Sequence, residues 1–491
     1  MTMVNGKAFV IAKESLPGMN SAQLYSGLYL NWYDGLTVVF SKDKQYVLIG
    51  ECWSIKKDDS PQEFLTESTD FNTEKILMRE NFWCGRYILI LKDTIYMDAV
   101  GSMSVYYNDD YVSDSLNLLR EMMNLDLKKE KIYEGLSPDF VPGTHTQYDG
   151  IKRLLPSLVY NFESKTVSSR ALLPEYPVEF QSKEERIRAF VSEFSQCLRN
   201  IDKHFEGKTK LITCTGGRDS RTVLAASQYA GLRYDTFLLE HDEISDEDIT
   251  ISKQLSDLLG RKHYYIKQNK SRMSAGRLAD FDRHTCNYEN GVDKLFYGYG
   301  QFEDLRDRVG NDIVILRGAI WETTSEFYGE FMKEDLAGSI WSIFPLLPYQ
   351  PRYRESVEEW MKTVTDDTEN RQIEMSARIY WDLRAGCWLS VIEQAFDIYD
   401  GIISVQPINC RRLLSLLLGF DKEDRVTRQH EMDITDYACP QFKDIPYDFQ
   451  TEKTGGESSL KRYKEYFKKA SCLLRHFGPG AVMMFVKNKN S

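Results

Sequence analysis

The stretch from Lys210 to Ala226 constrains the fold more than any other part of the chain. Lys210-Leu211-Ile212-Thr213 is a short apolar run with β-branched residues, Gly216-Gly217 breaks it, and Arg218-Asp219-Ser220-Arg221-Thr222-Val223-Leu224-Ala225-Ala226 resumes with helix-forming residues. That order reads as strand, tight turn, helix. Paired glycines let backbone N–H groups approach an anion, and the exposed amides at the start of the helix add partial positive charge. Thr215 and Ser220 bring hydroxyl donors to the same turn. Asp219 is an acid where a phosphate would otherwise be repelled, which makes sense if it holds Mg²⁺ on a nucleotide. The plainer alternative is a strand-to-helix turn without a ligand.

No G-x-x-x-x-G-K-[ST] pattern occurs, so the turn is not a Walker loop. Thr215-Gly216-Gly217-Arg218-Asp219-Ser220 resembles instead the S-G-G-x-D-S loop of the PP-loop ATP pyrophosphatase superfamily, with Thr215 in the first serine position. The resemblance implies ATP binding at Thr215, Gly216, Gly217, Asp219 and Ser220. It also implies cleavage of ATP between its α and β phosphates, adenylation of a carboxylate or carbonyl oxygen, and displacement of AMP by a nucleophile.

Composition narrows the classes. With 62 Lys+Arg against 74 Asp+Glu the formal net charge is −12, and no block of five or six basic residues offsets it, which argues against a nucleic-acid partner. The nine cysteines are scattered without a C-x-x-C, and the seven histidines form no H-E-x-x-H, so neither a disulfide framework nor a zinc site is expected. No window approaches the roughly 18 apolar residues of a spanning helix, and the first residues lack a signal-peptide core. A cytoplasmic protein without a membrane partner is the expectation.

The first half reads as closely spaced strands, Gly35–Ser41, Gln45–Gly50, Gly85–Leu91 and Thr94–Asp98, with a helical patch at Leu116–Met123. Gly85, then Asp98-Ala99-Val100-Gly101-Ser102-Met103-Ser104-Val105-Tyr106-Tyr107, then Thr144 through Gly150-Ile151 to Pro156 follow the order seen in the glutaminase domain of asparagine synthetases, which this segment resembles. In working domains of that family a cysteine exposed at the first position is the nucleophile, with its own α-amino group as base. Here the chain reads Met1-Thr2-Met3 and its first cysteine is Cys52, inside a strand-like run. The domain is therefore expected to be degenerate and retained as scaffold; a processed Thr2 nucleophile is the alternative.

Beyond a Pro-rich acidic linker at Leu173–Glu185, a helix is expected from about Glu184 to Phe205, and strands at Arg233–Glu240 and Lys262–Ile266 flank a helix starting at Ser245-Asp246-Glu247-Asp248. Alternating strand and helix predict a parallel sheet with its ligand beyond the carboxyl ends of the strands. Asp248 fits two roles, a helix N-terminal acid or an active-site group. Ile313–Leu316 is a further strand, followed by Gly318-Ala319-Ile320-Trp321-Glu322, which resembles the G-x-G-x-D-E segment of the asparagine synthetase family and implies Glu322 as a second Mg²⁺ ligand beside Asp219. From about Glu326 to Lys469 the pattern is predominantly helical. The family places a lysine about a dozen residues before a proline; counting back from Pro440 reaches Arg428, with Lys453 as the competing candidate. An arginine there supplies fixed charge and cannot shuttle protons.

The resemblance to asparagine synthetases predicts an α/β protein: an Ntn-hydrolase-like αββα layered domain over residues 1–170, then a parallel-sheet, Rossmann-like PP-loop synthetase domain over 184–480 with a helical C-terminal part. It implies an ATP- and Mg²⁺-dependent ligase forming a C–N bond, with Glu322 and Arg428 at the chemistry and no glutaminase activity of its own. Small-molecule or peptide carboxylates and amines are the implied substrates. A second copy of the chain or proteins of the same pathway are the implied macromolecular partners. An ammonia-dependent asparagine synthetase and a non-catalytic nucleotide-binding scaffold are the alternatives.

Overall fold

The computed structural model describes residues 7–68, 72–127, 140–174, 180–241, 244–272, 274–284, 300–345, 347–368, 370, 372–399, 401–450, 467 and 470–490. Thr2, Lys453 and part of the expected linker lie outside the described residues.

The first half is built on two six-stranded antiparallel sheets. One takes in β1 (Phe9–Ala12), β2 (Asn20–Gln23), β3 (Tyr29–Trp32), β8 (Tyr106–Tyr107), β9 (Val112–Ser113) and β10 (Lys152–Arg153); the other takes in β4 (Val38–Phe40), β5 (Tyr46–Ser54), β6 (Trp83–Leu91), β7 (Thr94–Met97), β11 (Leu158–Asn161) and β12 (Thr166–Ser169). Strand alternation decides the layering. Phe9 and Ile11 of β1 and Val47 and Ile49 of β5 enter one shared core, so the sheets face each other. The intervening Val10 packs with Leu116 and Leu119 of helix Leu116–Met122, and Tyr46 and Leu48 pack with Leu65 and Ile76 of helices Pro61–Glu67 and Thr73–Glu80. Helices thus cover both outer faces, giving four layers. Cys52 lies fully buried within β5, and burial pushes its thiol well above the usual range, so it is inert as a nucleophile.

Helix Lys183–His204 follows, starting on a Ser182 side-chain cap and burying Ile187, Phe190, Val191, Phe194 and Leu198 at helical spacing. Its apolar face belongs to the same continuous core as both antiparallel sheets. The second half then forms a five-stranded parallel sheet in the order β15 (His263–Ile266), β14 (Asp235–Leu239), β13 (Thr209–Thr213), β16 (Ile313–Leu316), β17 (Ile402–Val405). The chain winds from β13 outward through β14 to β15, then crosses to the other side of β13 to lay down β16 and β17. The strand order reverses between β13 and β16, so a crevice opens beyond their carboxyl ends. The region after Glu326 is predominantly helical, as expected, with β17 as a strand that the sequence reading did not mark. Only four residues long, it pairs with β16 from Ile313↔Ile402 to Leu316↔Val405 and sits too briefly between helical segments to show a strand period. No helix among the described residues is long and apolar enough to cross a membrane.

Two polar ties bind the halves. Glu80 is buried between Arg170, at 2.7 Å, and Arg411, at 3.2 Å, and also accepts a hydrogen bond from Tyr87 at 2.9 Å. Arg411 belongs to the parallel-sheet half and donates to the Leu172 carbonyl as well, at 2.7 Å. At the surface, Glu359 of helix Pro351–Asp366 takes Lys152 at 2.7 Å and His145 at 3.0 Å, and these partners hold its carboxyl down to about 2.

Truncating Glu80 to Ala leaves two buried guanidinium groups uncompensated and is expected to lower unfolding free energy by about 3–5 kcal/mol, read by urea denaturation. Glu359 sits below its usual 4.5, so its contribution is complete above pH 4.5 and disappears as pH falls towards 2. Because the group is about two-fifths exposed, that contribution stays below about 1 kcal/mol. Glu359→Gln is expected to flatten the acid limb of a melting-temperature profile over that window and to leave the rest of it unchanged.

Candidate active site

β13 ends at Thr213 and the chain turns through Cys214 to Gly217 into helix Arg218–Tyr229, the strand, turn and helix read from the sequence. The loop holds itself by its own polar groups. The Thr215 amide donates to the Ser220 hydroxyl at 3.1 Å, the two hydroxyls meet at 3.2 Å, and the Gly217 amide donates to the Thr215 hydroxyl at 3.2 Å. The Gly216 amide donates to Asp248 at 2.8 Å, while Asp248 also completes a capping box with Ser245. Asp248 therefore fills both roles at once: it caps its own helix and fixes the loop.

This arrangement corrects the reason given for the glycine pair. Neither glycine has a positive φ, and their amides are already taken. Gly216 sits in a crowded place: an added Cβ would lie 3.0 Å from the Asp448 Cβ and 3.2 Å from Ile251, so these neighbours would have to give way by a few tenths of an ångström. Gly217 stands at the N-cap and offers no side chain to the first helical amides, which leaves that end of the helix facing the cavity.

The second wall comes from the turn after β16. An added Cβ at Gly318 would lie 2.7 Å from the Asp219 carbonyl carbon and the Ser220 nitrogen, so only glycine lets the two crossovers touch. Ile320 follows at φ 68°, a left-handed conformation that a β-branched residue adopts at a cost. The strain reverses the chain so that Trp321 buries completely against Phe190 and Phe194 while Glu322 turns back towards Asp219.

Arg428 supplies the third wall. It too is left-handed, at φ 59°, at the N-terminal end of helix Gln429–Ala438, and its guanidinium pairs with Asp219 and with Glu431, the latter at 2.6 Å. Burial lifts Asp219 to about 7 against the pull of Arg428, and burial together with the Asp219 charge lifts Glu322 to about 7. Burial alone would lower Arg428, but Asp219 and Glu431 outweigh it and hold the guanidinium charged. The Tyr380 hydroxyl donates to Glu322 at 3.2 Å from the start of a π-helical stretch, Tyr380–Leu389.

These walls enclose a cavity of about 450 Å³, a size typical of small-molecule sites. Thr215, Gly217, Asp219, Ser220 and Arg428 line it, whereas Gly216 and Glu322 are not among its lining residues. An apolar wall is made by Phe237, Leu239, Phe302, Ile315 and Phe396. Sequence reasoning missed that wall, together with Glu431, the Asp448–Phe449 segment and Arg317, which pairs with the buried Glu393 at 2.5 Å. Only Arg218 had a local signal, since it lies within the motif itself.

Among the described residues no group of three or more His, Cys, Asp or Glu forms a metal cage. Mg²⁺ is commonly held by one or two carboxylates together with phosphates, and two half-hidden carboxylates that repel each other are a fitting donor set for it. Asp219 and Glu322 meet that description.

No protein-family model matches the sequence, and no curated protein matches it. Among solved structures the chain is similar to the glutamine-dependent NAD+ synthetase from Acinetobacter baumannii in complex with ADP, at 12% identity and a TM-score of 0.20 over 33% of this chain and 30% of that one. It is also similar to the NMN synthetase from Francisella tularensis, at 13% identity and a TM-score of 0.21 over 54% of this chain and 95% of that one. The chain thus spans less than a third of the first relative's length, and at these scores neither likeness bears on what it binds.

Gly318→Ala is expected to push the Asp219–Ser220 backbone away from the turn, costing about 1–3 kcal/mol of stability. Nucleotide affinity should fall with it. Thermal unfolding and ATP titration of the same variant check both, and unchanged ATP binding would show that the crossover contact does not shape the site.

Proposed function

We propose that the chain is an ATP-dependent ligase of the asparagine synthetase-like kind, joining a carboxylate to an amine with release of pyrophosphate and AMP. The observation that carries this reading is the meeting of Asp219, Glu322 and Arg428 at the reversal point of the parallel sheet, beside an uncapped helix start. Acids next to a phosphate-seeking helix end have little use without a cation bridging them to an anionic ligand. The apolar wall of Phe237, Leu239, Phe302 and Phe396 offers a flat purine base a place to bury.

In the reaction proposed, an oxygen of the substrate carboxylate bonds to the α-phosphorus of ATP, and the bond from that phosphorus to the bridging oxygen breaks, its electron pair leaving with pyrophosphate. The amine then attacks the activated carbonyl carbon, AMP departs, and the nitrogen loses a proton. Mg²⁺, held by Asp219 and Glu322, would neutralise charge on the triphosphate. Arg428 stays charged at every working pH, so it stabilises negative charge and moves no proton. Helix amides at Arg218 and beyond face the charge that builds on the phosphates. A sulfur-carrier role for Cys214, beside the loop, is disfavoured because burial pushes its thiol up to about 12.

One observation favours a second reading, a nucleotide-binding scaffold without turnover: Arg428 already neutralises Asp219. The two separate in one experiment. With Mg²⁺, ATP and a panel of amino-acid and peptide carboxylates and amines, the ligase is expected to release about one pyrophosphate per site with the carboxylate alone and to turn over continuously only when the amine is present as well. Asp219→Asn and Glu322→Gln are each expected to lower that rate by about a hundredfold or more without changing the fold. ATP binding with no pyrophosphate from any pair would favour the scaffold, and full activity in Asp219→Asn would sink the ligase assignment.

A further inference from the structure

Helix Arg218–Tyr229 carries two arginines, Arg218 and Arg221, three residues apart, and both guanidinium groups lie over rings of one distant segment. Arg221 stacks on Tyr447 at 3.8 Å and donates to the Ile445 and Pro446 carbonyls at 2.8 and 2.6 Å. Arg218 stacks on Phe449, also at 3.8 Å, but its Nε is buried without a hydrogen-bond partner, and the group forms no ion pair among the described residues. One arginine fastens the segment; the other is steadied by it and keeps its donors free.

Arg218 lines the cavity at its charged end, where its electrostatic neighbours are Arg428, Glu431, Asp219 and Asp448. The charge of Arg428 is already matched by Asp219 and Glu431. A half-buried planar guanidinium with unused N–H groups, held flat by an aromatic ring, is built for a phosphate.

We infer that Arg218 is a phosphate-binding residue of this site and that it takes the outer two phosphates, the part of the triphosphate that leaves as pyrophosphate. The inference rests on the ATP reading above and deepens it. The inference puts the base against the apolar residues of the cavity, Phe237, Leu239, Phe302 and Phe396, and the polyphosphate tail among its charged ones, Arg218, Asp219 and Arg428. When the α-phosphorus bond to the bridging oxygen breaks, the departing electron pair adds charge to pyrophosphate. Arg218 is the guanidinium still free to meet it.

The test uses the full chain in Mg²⁺ buffer with pyrophosphate and AMP as separate probes, read by calorimetry or by competition against ATP. Arg218→Leu is expected to weaken pyrophosphate binding by about ten- to a hundredfold and AMP binding by less than about threefold. Arg218→Lys should fall between it and wild type, because charge remains while the planar fork is lost. Phe449→Ala, which removes an exposed ring and no charge, should cost pyrophosphate a few-fold. Equal pyrophosphate affinity in Arg218→Leu and wild type, or equal losses for both probes, would overturn the inference while leaving the ATP reading intact. If Arg218→Leu does not fold, unchanged pyrophosphate binding in both Arg218→Lys and Phe449→Ala overturns it instead. Wild-type protein that binds neither ATP nor pyrophosphate would bring down the ATP reading, and this inference with it.

Discussion

The arrangement of the second half turns on a single guanidinium. Arg428 is gripped by Asp219 and Glu431, with Glu322 close enough to feel its charge, and these residues come from three separate stretches of chain. Like charges crowded into a partly dry crevice would drive the walls apart or take up protons. One permanently charged, planar cation lets them coexist, and only arginine combines permanent charge with a fork wide enough for two carboxylates. Lysine would bring a single point of charge and would release its proton more readily as it was buried.

Topology explains why that guanidinium has anything to gather. Strand order reverses beside β13, and both of the crossovers that flank the reversal end in a backbone held closer than a Cβ allows. Gly318 permits the contact, and Ile320 and Arg428 accept left-handed conformations to aim acid and base inward. Unfavourable backbone geometry at two non-glycine residues of one crevice persists only where surrounding packing over-determines it, and Trp321, buried against Phe190 and Phe194, does that for the first.

Much of this was legible in the sequence. Continuous apolar runs bounded by turn residues marked β5 and β6, because each strand has one face on each of two cores, and the 3.6-residue spacing of Ile187, Phe190, Val191, Phe194 and Leu198 marked the connecting helix within a residue or two of its ends. Glu322 was legible as a partner of Asp219 only through the resemblance of Gly318–Glu322 to the acidic segment of the asparagine synthetase family, since on its own it reads as a surface carboxylate. What stayed hidden was whatever the second half contributes across long sequence separations. Glu431, Asp448 and Phe449 carry no local pattern, and Phe302 and Phe396 read as ordinary core residues until the sheet brings them to one wall. The glycine pair was recognised for its place but misjudged in its cause, since crowding by Asp448 and Ile251 is invisible from within the motif.

The first half reaches the same crevice through the chain that follows β17. The Asn409 side chain donates to the Gly85 carbonyl at 2.6 Å and to Asp98 at 2.9 Å, while the Pro407 carbonyl accepts from the Cys84 and Cys197 thiols. Arg86 pairs with Asp397 and donates to the Glu393 carbonyl at 3.1 Å. Gln406 then bridges inward: its amide donates to Glu393 at 2.9 Å and its carbonyl accepts from the Ala319 amide at 3.2 Å, inside the turn that carries Glu322. A displacement of the antiparallel sheets would therefore reach Ala319 through two hydrogen-bonded residues. Such a route needs no nucleophile in the first half, which gives the two antiparallel sheets a structural part in the crevice.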